Sequence, residues 1–478
     1  MRHMLQRGRV AAAAGFLAVA GAAALVQGCS SAKDTLLEAT DPDLINPGDV
    51  QNPEGAQALY VGTFARLRNA TYGADADNPG AWLFGGLLAD EWSTSSTYVQ
   101  NDETDQRKVK EDNSIVTTNF RALNRVRTAA NQAIAGLKKY RPTEAYKIAE
   151  MYFARGFVEA QMAQDFCNGA PVSDASGDAF VLGKPETTEQ KFNRAIASYD
   201  SALALTGGTD ANSVNINRAA RIGKARALLG LNKLAEAVAL VPAATVPTSY
   251  SYDMTMSATG GRNTIWGQGV SNRRFTVGDS IEGNARNLLV KNAIPFFSAK
   301  DPRLPVTYTV SARGDTTKGQ DGFTFSRTTP LYGEFSPVSL VSGLDARLVE
   351  AEARLAANDF AGMTTLLNAL RSAPPKVGDL PPLSGTALPA LTAPTTRDAA
   401  VDLYFREKAF WTFSRGQRLG DLRRLVRFYG RTVENTFPAG PHYRGGDYGA
   451  DVNFPVPTEE RTNPNVGQSA PVCIDRKP

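Results

Sequence analysis

The side chains in this sequence that could carry out acid–base chemistry are few, and most of the candidates lie near position 100. Two carboxylates that flank a sugar can serve as the acid and the nucleophile or base of a glycoside hydrolase. The chain has only two histidines, which excludes a histidine-rich metal site. It contains no P-loop, nucleophile elbow or Cys-x-x-Cys motif. A glycoside hydrolase is therefore one hypothesis, and its candidate carboxylates are Asp90, Glu91, Glu103 and Asp105.

The first 28 residues have the features of a secretory leader. Residues 1–9 contain three arginines and no acidic residue, and residues 10–26 form an uncharged apolar run. A basic start, an apolar middle and a small residue before the cleavage site are typical of such a leader. A transmembrane helix is the alternative, although the run is short for one. The ending Gly28-Cys29 resembles the lipobox of bacterial lipoproteins, so we predict Cys29 as the lipidation site and first mature residue.

The residue that follows Cys29 and the cysteine count indicate a protein of the cell envelope. Ser30 stands where Asp would signal retention at the inner membrane, so we predict a lipid-anchored, surface-exposed protein of the outer membrane. Stable anchoring requires two or more acyl chains. The remaining cysteines, Cys167 and Cys473, could form a disulfide in this oxidising compartment or stay as two thiols, and the sequence leaves both open.

Apolar residues recur at steps of three and four over most of the chain, which predicts a mainly α-helical fold. Small residues on one helix alternate with aromatic residues on the next, as in tetratricopeptide (TPR) repeats. An ordinary helical bundle is the alternative. The predicted helices start at residue 54 and continue over residues 81–92, 114–139, 143–167, 188–205, 212–230, 233–241, 344–357, 360–372 and 396–415.

The segment 242–343 has no helical pattern and is rich in glycine, with β-like runs at 273–277, 305–310 and 323–327. A segment of this length without a helical core is usually functional. We therefore predict a leader, a tether and a single domain in three parts. The leader is 1–28, the lipid-anchored tether is 29–53, and the domain 54–478 comprises TPR-like helices (54–241), an irregular ligand- or partner-binding segment (242–343) and C-terminal helices and loops (344–478).

Four groups of residues carry a family pattern: 347–354 with 366–371, 406–411 with 415–424, 454–460 with 463–465, and the lipobox followed by Asn46-Pro47. On these motifs the sequence, above all from residue 344 onwards, resembles the SusD/RagB family of nutrient-binding outer-membrane lipoproteins. The segment 406–424 departs from the family at Lys408 and at Arg415-Gly416, where the family usually has Glu and Glu-Gly. We interpret the arginines and aspartates of this segment as ion pairs that tie the last helix to its neighbours, with an anion site as the alternative.

The resemblance implies a binding protein and not an enzyme. Such a protein captures a nutrient, an oligosaccharide above all, and delivers it to a SusC-like TonB-dependent transporter, with no cofactor and no metal. Sugars bind to aromatic platforms and to polar groups, and aromatic residues in loops are the better candidates. The candidate ligand-binding residues are Trp92, Tyr98, Asn101, Tyr252, Trp266 and Phe275.

Net charge narrows the range of partners. The formal charge is +4, and three of the positive charges lie in the predicted leader, so the mature chain is close to neutral. A nucleic-acid partner is therefore excluded, because such binding needs concentrated positive charge. Besides the hydrolase, the other alternative is a TPR scaffold lipoprotein that acts in outer-membrane assembly and has no small-molecule ligand.

Overall fold

The computed structural model describes residues 51–177, 181–384, 386–467 and 473–478. The predicted leader, the lipidation site Cys29 and nearly all of the tether lie outside these residues. Among the helices of the described part, none is both long enough and apolar enough to cross a bilayer.

The N-terminal part is a series of helices that pack against each other largely in chain order. The helices α4 to α7 each pack on the next one, and α1 packs on α4. Their apolar stripes are buried as the periodicity predicts, for example Phe120, Leu123 and Val126 on α4. The helices are α1 (Pro53–Tyr72), α2 (Gly80–Leu88), α3 (Val99–Asp105), α4 (Ser114–Tyr140), α5 (Ala145–Asp165), α6 (Thr188–Ala204), α7 (Ala211–Gly230) and α8 (Leu234–Leu240).

Small residues on one helix receive aromatic rings from the next, as the repeat pattern predicts. Tyr199 of α6 lies between Gly156 of α5 and Gly223 of α7. A Cβ atom at Gly223 would lie 2.5 Å from the tyrosine ring, so only glycine allows this close approach. The mainly α, TPR-like fold class predicted from the sequence is therefore confirmed.

The irregular segment contains short strands that pair over long distances in the chain. Strand β1 lies between α2 and α3, and its partner β3 is about 180 residues further along the chain. The antiparallel pairs of the described part are β1 with β3, β2 with β8, β4 with β5 and β6 with β7. These elements are β1 (Trp92–Thr94), β2 (Ser251–Met254), the short helix α9 (Thr264–Trp266), β3 (Phe275–Val277), β4 (Ile281–Glu282), β5 (Leu288–Leu289), β6 (Thr307–Tyr308), β7 (Arg327–Thr328) and β8 (Val338–Ser342).

The C-terminal helices are α10 (Gly343–Ala356), α11 (Phe360–Ser372), α12 (Arg397–Trp411) and α13 (Arg418–Phe428). The prediction of one helix over 396–415 is wrong at its end. Ser414 and Gly416 adopt left-handed backbone angles, with φ of 57° and 64°, and this turn separates α12 from α13. The sequence analysis did not predict α13.

Two buried arginines at this turn form ion pairs with distant parts of the chain. Arg418 donates two hydrogen bonds to Asp90, with Nε–Oδ1 and Nη2–Oδ2 distances of 2.6 and 2.8 Å. Arg415 donates to Asp345 at the start of α10 at 2.7 Å. Both ion pairs are charge-assisted; they fix the start of α13 against the residues that follow α2, and the turn before α13 against α10.

The helices α12 and α13 are joined by further buried charges. Lys408 Nζ donates to Asp421 Oδ1 at 2.6 Å, and Arg424 pairs with both Asp421 and Glu352. These contacts confirm the interpretation of segment 406–424 as an ion-pair network. They also provide partners for Lys408, where the sequence departs from the family pattern.

A disulfide joins Cys167, directly after α5, to Cys473 in the C-terminal tail. Both half-cystines are buried. Of the two alternatives that the sequence left open, the structure contains the disulfide.

Candidate ligand-binding site

The pairing of β1 with β3 brings together the two segments that held most of the candidate ligand-binding residues. Trp92 lies opposite Val277, and Thr94 lies opposite Phe275. The loops that follow β1 and precede β3 therefore emerge side by side at the same end of this strand pair.

Trp92 and Phe275 themselves are core residues, so their prediction as ligand platforms is wrong. Trp92 is only 3% exposed; its Nε1 donates to Ser414 Oγ at 3.1 Å and its ring lies 5.1 Å from that of Phe413. Phe275 is 1% exposed. The predicted helix 81–92 ends at Leu88, so Trp92 belongs to a buried strand and not to the loop beyond a helix end.

Tyr252 is also a packing residue and was wrongly predicted as a ligand contact. It lies in β2, its ring packs on Phe153 at 5.2 Å, and its hydroxyl donates to Glu150 Oε1 at 2.8 Å. The side chain is 7% exposed, which leaves no ring face for a ligand.

The other three candidates differ in their exposure. Tyr98 and Trp266 are half-buried, and Asn101 is buried in α3. Neither the amide nitrogen nor the amide oxygen of Asn101 has a hydrogen-bond partner among the described residues. Trp266 ends the short helix α9, which Asn263 caps by accepting from the Trp266 N–H at 3.2 Å.

Four loops meet near Tyr98, and we refer to them as the loop junction: residues 95–98, 271–274, 319–323 and 442–446. Main-chain hydrogen bonds hold the first three together. Ser95 N–H donates to the Arg274 carbonyl at 2.9 Å, Asp321 N–H to the Ser95 carbonyl at 3.1 Å, and Gln320 N–H to the Arg273 carbonyl at 3.2 Å. The junction is thus a built feature of the fold, although its loops are far apart in sequence.

Gly319 allows two of these loops to touch. A Cβ atom at this position would lie 2.4 Å from the Cβ of Ser95 and 2.9 Å from the carbonyl oxygen of Arg273. Because real Cβ atoms do not approach so closely, any larger residue would push the loops apart.

Arginine side chains dominate the exposed part of the loop junction. The Arg274 guanidinium lies over the Tyr98 ring, 4.5 Å from its centroid, a cation–π arrangement. Arg444 pairs with Asp321 at 2.8 Å and with Asp102 at 3.5 Å, and its Nη2 also donates to the Ser96 carbonyl.

Several polar groups of the junction lack partners. The Nε atoms of Arg273, Arg274 and Arg444 are covered and have no hydrogen-bond acceptor within the described part of the chain. Burial raises the pKa of Asp102, and the positive charge of the Arg444 guanidinium opposes this rise. Covered Nε atoms without an acceptor also occur on core arginines of the described part, among them Arg327, Arg347 and Arg423, so these donors alone do not mark a ligand site.

A buried polar group supports the junction from below. Asp105 Oδ2 accepts from Thr94 N–H at 2.7 Å and from the Tyr443 hydroxyl at 2.9 Å, and His442 Nε2 lies 3.3 Å away. These contacts link the end of α3 to the loop 442–446.

Each of the four carboxylates considered for hydrolysis has a structural partner. Asp90 forms an ion pair with Arg418, and Glu103 forms one with Lys110 at 2.5 Å. Asp105 accepts the hydrogen bonds from Thr94 and Tyr443.

Glu91 Oε1 accepts from the Ser414 N–H at 2.8 Å. The pKa of Glu91 is raised to about 8, chiefly by burial; the Ser414 N–H opposes the rise and the negative charge of Asp90 adds to it. The four carboxylates thus act in the fold, which gives the hydrolase hypothesis no geometric support.

The sequence analysis missed the arginines and the acidic residue of the junction. Arg273 and Arg274 are the first two residues of the β-like run 273–277, and this position beside a predicted strand was a usable signal for them. Arg444 and Asp321 had none, because only the long-range strand pairing brings their loops to Tyr98.

Comparison with known proteins gives a result for the fold only. No protein-family model matches the sequence, and no curated protein matches it. Solved structures do match. A SusD superfamily protein from Parabacteroides distasonis is 13% identical, with 86% of this chain and 98% of that chain covered and a TM-score of 0.60.

Two further structures have the same architecture. Surface glycan-binding protein A from Bacteroides uniformis is 14% identical, with 88% and 99% of the two chains covered and a TM-score of 0.59. A SusD-like carbohydrate-binding protein from Bacteroides vulgatus is 13% identical, with 78% and 83% covered and a TM-score of 0.52. The chain therefore has the SusD-superfamily fold, and the resemblance predicted from the sequence motifs is confirmed at the level of the fold.

Proposed function

We propose that this protein is a lipid-anchored glycan-binding protein of the outer-membrane surface, which delivers an oligosaccharide to a SusC-like TonB-dependent transporter. Two structures with the same fold are described as glycan- or carbohydrate-binding proteins, which supports the ligand class. The predicted lipobox at Cys29 supports the location.

The observation that carries the proposal is the combination of an aromatic ring, Tyr98, with two half-exposed arginines, Arg273 and Arg274, that form no ion pair within the described residues. Aromatic faces suit the C–H face of a sugar ring, and guanidinium N–H groups suit its hydroxyl oxygens. Tyr98 and Arg274 provide both groups within 4.5 Å of each other. Trp266, half-buried on the connection that leads to Arg274, is a second candidate ring.

The binding step is tested by removing this pair. We expect Tyr98→Ala with Arg274→Gln to weaken binding of the preferred oligosaccharide at least tenfold, about 1.4 kcal/mol, in isothermal titration after a glycan array has identified that ligand. Unchanged affinity would contradict the proposed site.

A matched control exists at the far end of α4. Lys139 lies over the Tyr140 ring, 4.9 Å from its centroid, in a similar cation–π pair. The helix begins beside the junction, where its cap residue Asn113 donates to the Gln100 carbonyl, and 27 residues of helix span about 40 Å. Tyr140→Ala with Lys139→Gln should leave glycan affinity unchanged.

The anchor and the transporter partner need separate tests. Cys29→Ala should release the protein from membrane fractions and abolish acyl labelling; a variant that stays in the membrane would contradict the anchor. The lipidated protein, solubilised from the outer membrane, should co-purify with a TonB-dependent barrel. Co-purification with assembly proteins instead would favour the TPR scaffold alternative.

A further inference from the structure

A groove that shares no residue with the loop junction lies between α4 and the C-terminal segment. Its volume is about 610 Å³, within the range of pockets that hold small ligands. Its floor is a face of α4 that borders the buried stripe at Phe120, and its walls are residues 171–175 with Leu182 and residues 459–463. The floor residues lie on one face of the helix and include Arg121, Asn124, Arg125, Thr128 and Gln132.

The walls of the groove are fixed by hydrogen bonds. Arg127 Nη1 of α4 donates to the Ser173 carbonyl at 2.8 Å, and Asn463 Nδ2 donates to the Gly183 carbonyl at 2.8 Å. Thr117 Oγ1 donates to Glu459 Oε2 at 3.3 Å. The groove is therefore preformed, which lowers the cost of ordering a ligand within it.

The charges that line the groove are unequally paired. Arg121 lies 3.6 Å from Glu459, and the two side chains are 57% and 50% exposed, so this pair is weak. Arg66 and Arg125 also line the groove, and within the described residues neither forms an ion pair or a side-chain hydrogen bond. Arg66 and Arg125 thus provide two unpaired guanidinium groups in the groove, and such groups favour a ligand that carries carboxylates.

Neutral polar groups and acceptors complete the lining. The Asn124 side-chain oxygen is buried without a hydrogen-bond partner among the described residues. Glu459 and Glu460 face the same space and are acceptors for hydroxyl groups. A ligand for this groove therefore needs both carboxylates for the arginines and hydroxyl groups for these acceptors.

We propose that the groove is a second saccharide site that binds an oligosaccharide of uronic acids. The sugar carboxylates pair with Arg66 and Arg125, and the sugar hydroxyls donate to Asn124, Glu459 and Glu460. This inference rests on the proposed function for the saccharide class of ligand, but it places the acidic sugar in a different part of the molecule.

The test uses the full mature chain and defined probes. The probes are tetragalacturonate and tetraguluronate, each beside its methyl ester, and tetra-aspartate as an acidic peptide. We expect at least one oligouronate to bind ten times more tightly than its ester and than the peptide. No binding of either oligouronate, or equal binding of its ester or of the peptide, would overturn the proposal.

Variants locate the site and separate this inference from the proposed function. Arg66→Gln with Arg125→Gln should weaken oligouronate binding at least tenfold. Arg354→Gln with Arg397→Gln, which removes two exposed arginines elsewhere, should change it less than twofold. Tyr98→Ala should leave oligouronate binding intact. Loss of binding in the Tyr98 variant alone would place the uronate at the loop junction and overturn the second site while supporting the first.

Discussion

The ion-pair network of the C-terminal helices and the loop junction use the same residue type in opposite ways. In the network, Arg415 and Arg418 are buried and each donates to a buried carboxylate on another element. In the loop junction, Arg273 and Arg274 are half-exposed, and within the described residues neither forms an ion pair. The difference indicates that Arg415 and Arg418 stabilise the fold, whereas Arg273 and Arg274 are positioned by the fold and stay accessible.

The free-energy cost of leaving a charge unpaired is large in the interior and small at the surface, which explains why the two regions differ. A buried charge must be paired, because an isolated charge in the interior costs several kcal/mol, and removal of one partner costs about 3–5 kcal/mol. A surface cation pays little for being unpaired, because water still solvates it. The free energy of unfolding should therefore depend strongly on the network arginines and weakly on the junction arginines.

The largest expected effect comes from breaking the pair between Arg418 and Asp90. Arg418→Ala leaves Asp90 as a buried, unpaired charge and should lower the free energy of unfolding by about 3–5 kcal/mol in urea titrations. The control is Arg431→Ala, because its partner Asp402 is 72% exposed at the side chain. This control should cost less than about 1 kcal/mol.

A compensated variant keeps the test valid if Arg418→Ala does not fold. Arg418→Met with Asp90→Asn removes both charges and retains an acceptor for the Ile294 N–H, which Asp90 Oδ2 binds at 2.8 Å. This double variant should be more stable than Arg418→Ala. Equal losses for Arg418→Ala and Arg431→Ala would show that burial does not decide the role of these arginines.

The second prediction concerns pH. Burial raises the pKa of Glu91 to about 8 in the folded state, against an ordinary value of 4.5. Between these values the folded chain binds the proton more tightly than the unfolded chain, so stability is highest at low pH within this window and falls as pH rises towards 8. A rise from 4.5 to about 8 corresponds to a loss of at most about 5 kcal/mol attributable to Glu91.

Glu91→Gln mimics the protonated side chain and should remove this part of the pH dependence. The variant and the wild type should have similar unfolding midpoints near pH 5, and the variant should be the more stable near pH 9. Parallel stability curves over this range would mean that Glu91 does not titrate with the raised pKa.

The helical frame could be predicted from the sequence, because the periodicity of apolar residues is a local property. The stripe of Phe120, Leu123 and Val126 is buried as expected, and the arginine-rich segment beside core aromatics is an ion-pair network. The partners of that network could not be predicted. Asp90 lies more than 300 residues before Arg418, and no local pattern connects them.

The ligand-binding residues were predicted less well for the same reason. Trp92 and Phe275 were selected as loop aromatics, but their pairing in β1 and β3 buries both rings. The selected segments do meet, so the region was predicted better than its residues. Arg444 reaches the loop that contains Tyr98 only through the tertiary fold, so no local pattern could indicate it.

The third prediction tests how closely the junction loops must approach each other. Gly319→Ala places a Cβ against Ser95 and the Arg273 carbonyl and should cost about 1–3 kcal/mol of unfolding free energy. Gly267→Ala is the control from the adjoining loop, because its Cβ would have no atom within 4 Å and its backbone is already helical. A thermal melt that is unchanged by Gly319→Ala would show that the loops are not fixed in contact.

The smallest effect on stability is expected for Arg274→Gln. This variant tests most directly the difference between the ion-pair network and the loop junction. The cation–π contact with Tyr98 is worth about 0.5–1 kcal/mol at an exposed position, so the free energy of unfolding should change by less than about 1 kcal/mol. The same variant should reduce oligosaccharide affinity in isothermal titration, because it removes a guanidinium donor from the ligand surface. A loss of stability as large as that of Arg418→Ala, with unchanged affinity, would make Arg274 another structural arginine and remove the distinction between the two regions.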